Sequence, residues 1–366
     1  MHILFINSIQ MFAGGEVWML RTLDGLRKRG HRVYLICRPG TELEQRARRQ
    51  GFAVTTITMK NDYDLLAIYR TWKFIRKHRI QVMLTNMDRE LRFGSIAARL
   101  AGHCAVIPRR GIDYPLKNRL QYRLSWQILA DRAIANSAAT RQALLRNAPW
   151  LDPDKIHVIY NGIDPAPFMA PADRELRSEW TTDPAAKIIG FAGQLDERKG
   201  IHDLLPAFKQ VAEKWPNVHL VLAGEGPLRQ YIVDYCHENG LVERVHLPGF
   251  LSPITDFMKA IDYLVLPSLW EGFGIVLIEA MATGKPVITT NVSSMPEIVQ
   301  HNKTGLVVPV QNAAALANAF TALLLNPRQA AQWGENGRQR VLKMFTIDRM
   351  LDKLEALFRL AVKNRN

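Results

Sequence analysis

The sequence predicts an α/β protein of two domains, each built on a doubly wound sheet of parallel strands with helices on both faces. Three observations predict it. Short apolar runs alternate with amphipathic segments of helical length along nearly the whole chain, the order that builds βαβ units. Several of those runs empty into Gly-rich turns that lead straight into a helix, as parallel sheets do at their carboxyl edge. Finally, 366 residues, 48% hydrophobic and 22% charged, are many for one core and suit two of ordinary size.

The first strand is Met1-His-Ile-Leu-Phe-Ile6, ending near Ser8. It is too short for the apolar region of a signal peptide, and Glu16 and Arg21 soon follow. The loop Gln10-Met-Phe-Ala-Gly14-Gly15-Glu16 leads to a helix from about Val17 to Arg29, capped by Gly30, and then to the strand His31 to Cys37. Helices at Glu42 to Gln50, Leu65 to Lys77, Phe93 to Ala101 and Asn118 to Ala130 are interleaved with strands at Ala53 to Ile57, Gln81 to Leu84 and Ala105 to Ile107. Asn136-Ser137 ends a further strand and caps the next helix. After the strand Ile156 to Ile159, Pro165, Pro167 and Pro171 give a stiff linker, so a hinge is expected near residues 165 to 185.

The second half opens with the strand Lys187 to Ala192 and the turn Gly193-Gln194-Leu195-Asp-Glu-Arg198-Lys199-Gly200. Val218 to Ala223 is a strand with the exit Gly224-Glu225-Gly226-Pro227, and Val245 to Gly249 is a short strand before Phe250. Asp262-Tyr-Leu-Val-Leu-Pro267 is an apolar run closed by proline, a buried strand entering a loop. From Ile275 to Thr283 the residues form a helix, with Gly284 and Pro286 as its stop. The final run from Thr346 to Leu360 carries apolar residues at helical spacing.

Charge and cysteine content narrow the functional classes. The net charge is +14, and residues 1 to 180 hold 29 Lys and Arg against 16 acids, while 181 to 366 hold 19 against 18. The basic half calls for an anionic partner. In 70 to 79 and 117 to 126 its cations interleave with Trp72, Phe74, Tyr122 and Trp126, the pattern of a surface helix that rests on acidic lipid headgroups. Charge alone would also suit nucleic acid, but no recognition motif supports that partner. Cys37, Cys104 and Cys236 are scattered, odd in number and without metal-ligand spacing, which reads as reduced thiols of a cytosolic protein. Asp62-Tyr-Asp64 precedes a helix and Asp152-Pro-Asp154 contains a proline in a connector, so both read as caps rather than metal ligands. No run approaches the eighteen or so apolar residues of a membrane-spanning helix.

The chemistry concentrates in Glu271-Gly-Phe273-Gly274-Ile275 and the helix that carries Glu279. A helix amino end at the carboxyl edge of a parallel sheet favours an anion. Two carboxylates bracketing that turn need donors of their own, and sugar hydroxyls supply them. A sugar attached to a phosphate leaving group fits both demands.

With E-G-F-G-x-x-x-x-E followed by A-x-x-x-G-x-P-V-I, the segment resembles the E-x7-E motif of retaining glycosyltransferases of the GT-B fold, the glycosyl transferases group 1 family. The likeness runs through Gly14-Gly15, Asn161-Gly162-Ile163-Asp164, Lys199-Gly200, Gly224-Glu225-Gly226-Pro227, Pro296-Glu297-Ile298 and Gly305-Leu-Val-Val. It implies an acceptor-binding domain over 1–168, a nucleotide-sugar domain over 169–345 and a terminal helix, 346–366, packing back on the first, with a central cleft between the two domains. It further implies transfer of a hexose with retention, without a metal or other cofactor, from a nucleoside-diphosphate sugar. A UDP-sugar is the favoured donor and GDP-mannose the other.

By the same resemblance Glu271 orients the sugar, Glu279 holds the ribose, and Gly15, Gly193, Gly224, Phe250, Phe273, Gly274 and Ile275 line the donor site. Arg198 and Lys199 would neutralise the departing diphosphate. The chain departs from the pattern twice: Gln194 stands where an Arg is usual, leaving Arg198 as its substitute, and Val106-Ile-Pro-Arg109-Arg110-Gly-Ile-Asp113 lacks the usual His. Arg109, Arg110 and Asp113 are therefore read as facing an anionic acceptor. The expected acceptor is a cell-surface glycan or a lipid-linked precursor, such as lipopolysaccharide core or exopolysaccharide, made at the cytoplasmic face of the inner membrane. A soluble acceptor, a non-catalytic nucleotide- or glycan-binding protein, and an epimerase or phosphorylase of the same fold are the alternatives.

Overall fold

The computed structural model describes residues 1–363 and 365. It divides into two compact units, Met1–Gly162 together with the chain from Ile347 onward, and Ile163–Thr346.

In the first unit, β1 (His2–Asn7), β2 (Arg32–Cys37), β3 (Ala53–Thr56), β4 (Val82–Thr85), β5 (Ala105–Arg110), β6 (Ala133–Ala135) and β7 (Ile156–Val158) form, among the described residues, a seven-stranded sheet in the order β3-β2-β1-β4-β5-β6-β7. Every pairing is parallel, with Ile3 beside both Val33 and Val82. A strand's side chains alternate between faces, so β1 feeds two cores. Ile3 and Phe5 join Trp18, Leu23 and Leu26 of the helix Gly14–Lys28. Leu4 and Ile6 join Ile68 and Ile75 of the helix Leu65–His78 and Phe93 and Ala97 of the helix Asp88–Ala101.

The helix Ile347–Lys363 completes the first of those cores. Met350, Leu351, Leu354, Leu357, Phe358 and Ala361 recur at three- and four-residue spacing and are all buried there. Polar pairs fix its register against the helix Gly14–Lys28 and its exit. Arg29 reaches Asp348 at 2.9 Å and Asp352 at 2.6 Å, His31 meets Glu355 at 2.9 Å, and the Trp18 indole donates to Met350 Sδ at 3.1 Å. A side chain at Gly25 would begin 2.5 Å from Leu351, so glycine is what lets the two helices approach.

The second unit holds β8 (Lys187–Ala192), β9 (Val218–Ala223), β10 (Val245–Gly249), β11 (Tyr263–Leu266), β12 (Val287–Thr290) and β13 (Gly305–Val308), in the order β10-β9-β8-β11-β12-β13 and again parallel throughout. Residues 165–185, where the prolines predict a stiff linker, fall within this unit. Trp180 packs on Phe257 with ring centroids 5.9 Å apart, and the Arg177 guanidinium bonds Asp262 Oδ2 at 3.0 Å and the carbonyls of Ala260 and Ala186. The apolar residues among the prolines outweigh the prolines' stiffness.

The expected helix over 118–130 is a short α-helix, Leu120–Arg123, followed by a π-helical turn, Leu124–Leu129. Trp126 is drawn inward there, its indole donating to Asp88 at 3.1 Å. The two D-x-D sequences act as caps: Asp64 accepts from the amides of Leu66 and Ala67, and Asp152 from that of Asp154.

Candidate active site

In the second unit the order of strands reverses between β8 and β11, the switch point where open parallel sheets leave a crevice at their carboxyl ends. Two turns meet there, 193–200 after β8 and 267–274 after β11.

The first turn is shaped by backbone approach. The amide of Gly193 donates to Ala223 O at 3.0 Å, that of Leu195 to Glu225 O at 2.9 Å, and that of Gly224 to Gly249 O at 2.9 Å. Gly224 has φ +155°, and a Cβ on it would lie 1.8 Å from Gly193 O, a contact that no side chain can relieve. Gly200, at φ +68°, brings its backbone against Pro267, and Leu269 N donates to Arg198 O at 2.8 Å. The two turns are thereby stitched into one surface.

On that surface the Lys199 ammonium is hydrogen-bonded to Glu271 Oε2, with the two side chains 14% and 17% exposed. Ser268 Oγ donates to the same oxygen at 3.3 Å, and Gly272 N to Oε1 at 3.2 Å. The carboxylate is thus oriented by three donors. Gly274, at φ +65°, opens the helix Ile275–Ala282; a Cβ there would stand 2.9 Å from Met295 Sδ. Glu279, on that helix, is buried at 4% exposure.

Arg198 lies half exposed beside Lys199. Its Nε and one terminal nitrogen both bond Asp196 Oδ2, at 3.2 and 2.6 Å, and the same nitrogen reaches Gln194 Oε1 at 3.4 Å. The guanidinium stands 5.9 Å from the Trp270 ring centre. Asp196 also accepts from Arg198 N at 3.0 Å, so it fixes both the backbone and the side chain of that arginine. The Arg198 side chain extends to residue 194, where the sequence lacks its expected Arg.

Of the remaining residues expected to line a donor site, Phe273 is 3% exposed and packs edge-on to Phe345, so only its backbone is available to a ligand. Phe250 is 72% exposed. Gly15 belongs to the first unit, in the opening turn of the helix Gly14–Lys28, with open space where a side chain would begin.

That first unit has its own switch point, between β1 and β4, held by two acids not singled out from the sequence. Glu16, 2% exposed, accepts from Asn7 Nδ2 at 2.7 Å and from Ala13 N at 3.0 Å. Glu90, fully buried, accepts from the amides of Ser8, Asn86 and Met87. Two interior carboxylates therefore anchor both ends of the loop 8–13. Each lies at the third position of its helix, where a capping-box acid reaches back, and that spacing was the available signal.

Burial pushes the Glu90 carboxyl up from 4.5 to about 7, against the pull of its three amide donors. The folded protein then holds more protons than the unfolded chain between those values. Unfolding free energy falls as pH rises through that window and stays lower above it. In Glu90→Gln this part of the slope disappears, as urea midpoints measured across the window will show.

Arg109 does not face an acceptor. It is 6% exposed, its guanidinium lies 3.9 Å over the Trp18 ring and donates to Asn161 Oδ1 at 3.0 Å, and burial lowers it to about 10 while the Glu16 charge works the other way. Arg110 is turned to Asp88 at 3.6 Å and to Tyr114 O at 2.8 Å, and Asp113 is partly exposed.

Two family models match the chain, Glycosyltransferase Family 4 over residues 12–167 and Glycosyl transferases group 1 over 172–340. An uncharacterized glycosyltransferase of Methanocaldococcus jannaschii is 32% identical over 222 residues, covering 57% of this chain and 55% of that protein. The chain thus spans little more than half the length of that relative. The UDP-Gal:alpha-D-GlcNAc-diphosphoundecaprenol alpha-1,3-galactosyltransferase of Escherichia coli is 27% identical over 316 residues, 81% of this chain and 79% of that one. In fold, the chain is similar to the crystal structure of Anabaena HepE in complex with UDP, with a TM-score of 0.84 at 21% identity over 97% of this chain and 99% of the other.

Proposed function

The chain belongs to the glycosyl transferases group 1 family, with the GT-B fold, and we propose that it transfers a hexose from a nucleoside-diphosphate sugar, with retention and without a metal. The observation that carries this reading is the Lys199–Glu271 pair at the switch point of the second unit, beside the amino end of the helix Ile275–Ala282. Lys199, Arg198 and the helix dipole supply positive charge where a diphosphate would leave. Glu271, fixed by Ser268 and Gly272, accepts from sugar hydroxyls, and the buried Glu279 accepts from the ribose. The backbones of Gly193, Gly224, Phe273, Gly274 and Ile275 with the Phe250 ring complete the donor site.

Uracil is the favoured base of the donor, since a structure of similar fold carries UDP. The acceptor is a lipid-linked or cell-surface glycan, since one relative is named for a diphosphoundecaprenol-linked acceptor. Such an acceptor lies at a membrane surface, and the basic first half would then rest against acidic lipid at the cytoplasmic face. Among the described residues no helix is long and apolar enough to cross a membrane.

The test is a thermal-shift screen of UDP, GDP, UDP-glucose, UDP-galactose and GDP-mannose. A ligand at a hundred times its dissociation constant stabilises the fold by about 2.7 kcal/mol, a rise of about 5–10 °C for a unit of this size. Absence of a shift with every nucleotide removes the proposal. NMR of the product anomer then decides between retention and inversion.

A further inference from the structure

The sequence assigns the anionic partner to Trp72, Phe74, Tyr122 and Trp126, but the structure turns these rings inward. Trp126 is 4% exposed and bonded to Asp88, Tyr122 lies under the Arg92 guanidinium at 4.6 Å, and Trp72 and Phe74 pack against the core. Other side chains stand outside. Among the described residues, sixteen large hydrophobic side chains are exposed, and seven fall in two short segments of the first unit: Tyr63, Leu65, Leu66 and Tyr69, at 51–81%, and Leu120, Leu124 and Ile128, at 42–72%. Nothing in the fold's packing requires them there.

The two segments are neighbours in space, since Tyr63, Arg119, Leu120, Gln121 and Leu124 line one shallow depression. Leu120, Leu124 and Ile128 recur every fourth residue, a single outward stripe opposite the buried Ser125 and Trp126. Similarly, the helix Leu65–His78 buries Ala67, Ile68, Thr71 and Ile75 and presents Leu65, Leu66 and Tyr69 on its other side. Exposed Lys60, Arg70, Lys73, Arg76 and Lys77 on one segment and Lys117, Arg119 and Arg123 on the other rim the apolar residues. The nearby acids are already engaged. Asp62 pairs with Arg92 and Arg89, and Asp64 caps its helix through the amides of Leu66 and Ala67.

We infer that Tyr63–Tyr69 and Leu120–Ile128 together form a surface that inserts shallowly into an anionic lipid bilayer. Apolar side chains at the centre with a rim of cations match the two layers of such a surface, acyl chains below and phosphate headgroups above. A second copy of the chain would set these lysines and arginines against like charges. The inference deepens the proposed use of a lipid-linked acceptor, but it can fail alone, because lipid binding is read without donor or acceptor.

The full chain is sedimented with phosphatidylcholine vesicles that contain or lack phosphatidylglycerol. The expected result is binding to the anionic vesicles. Leu65→Ser with Leu120→Ser lowers the partition constant by about tenfold or more, and Lys73→Glu with Arg76→Glu by about fivefold or more for each cation lost. Leu325→Ser, an exposed leucine of the second unit, leaves it unchanged. The circular dichroism and melting temperature of each variant stay those of the parent, which shows an intact fold. Three results overturn the inference: no binding to anionic vesicles, binding unaffected by the leucine variants, or a dimer in sedimentation velocity that those variants dissolve, which would assign the surface to a second copy of the chain.

Discussion

Lys199→Ala lowers kcat by about 10²–10³-fold and lowers the melting temperature as well, since Glu271 keeps its charge and loses its shielded partner. The ammonium is held against Glu271 in a site where both side chains are largely shielded from water, so its charge is little screened. In the proposed reaction it meets the negative charge that accumulates on the diphosphate as the glycosidic bond breaks. Its absence is felt most in the transition state, and kcat falls more than the donor KM rises. Arg198→Ala behaves more mildly in comparison, because that guanidinium is half exposed and shared with Asp196. Steady-state kinetics with the donor found by thermal shift checks both. A Lys199→Ala enzyme with parental kcat would show that the leaving group departs without this lysine, and the proposed site would have to move.

Gly200→Ala destabilises the second unit by on the order of 3 kcal/mol. Two costs combine. The residue sits at φ +68°, where an L side chain is strained, and the new Cβ would lie 2.1 Å from Pro267 O, a backbone atom that cannot rotate away. Relief requires the turns 193–200 and 267–274 to separate. Donor affinity should therefore fall with stability, although the substitution adds no charge and removes none. Calorimetry gives the loss of melting temperature, about 6–12 °C at this size, and the nucleotide shift gives the loss of affinity. A stable variant with weak donor binding, or the converse, would separate the two roles.

The βα alternation is legible because it rests on local signals: apolar runs of strand length, glycines past helix ends and prolines that close loops. The run Asp262 to Pro267 yields β11, and the helix expected from Ile275 ends at Ala282, beside its Gly284 stop. Position 109 shows where local signals end. The run Val106, Ile107, Arg109 is that of a buried strand, yet only tertiary partners, Trp18 of the helix Gly14–Lys28 and Asn161, account for a guanidinium being accepted there. The same holds for Trp126. A ring interleaved with cations reads as a surface feature until Asp88 is found in reach of its indole. In the donor site the residue types were readable, since a lysine before glycine and two spaced glutamates are rare enough to notice. The side chains that orient them, Asp196 and Ser268, are common residues in common turns and carry no such mark. Phe273 was legible as a position but not as a buried ring, because burial is decided by Phe345 more than seventy residues later.

Because residues from Ile347 onward finish the first core, the chain is a nested one: the second unit is an insert, entered at Ile163 and left at Thr346. Entry and exit lie side by side, with Ile163 N donating to Phe345 O at 2.9 Å and Ile163 bridged to Thr346. The second unit is accordingly one uninterrupted fragment with its ends already adjacent. The first unit survives excision only as a fusion of its two pieces, since the segment before residue 163 by itself exposes the groove that Leu354, Leu357 and Phe358 fill.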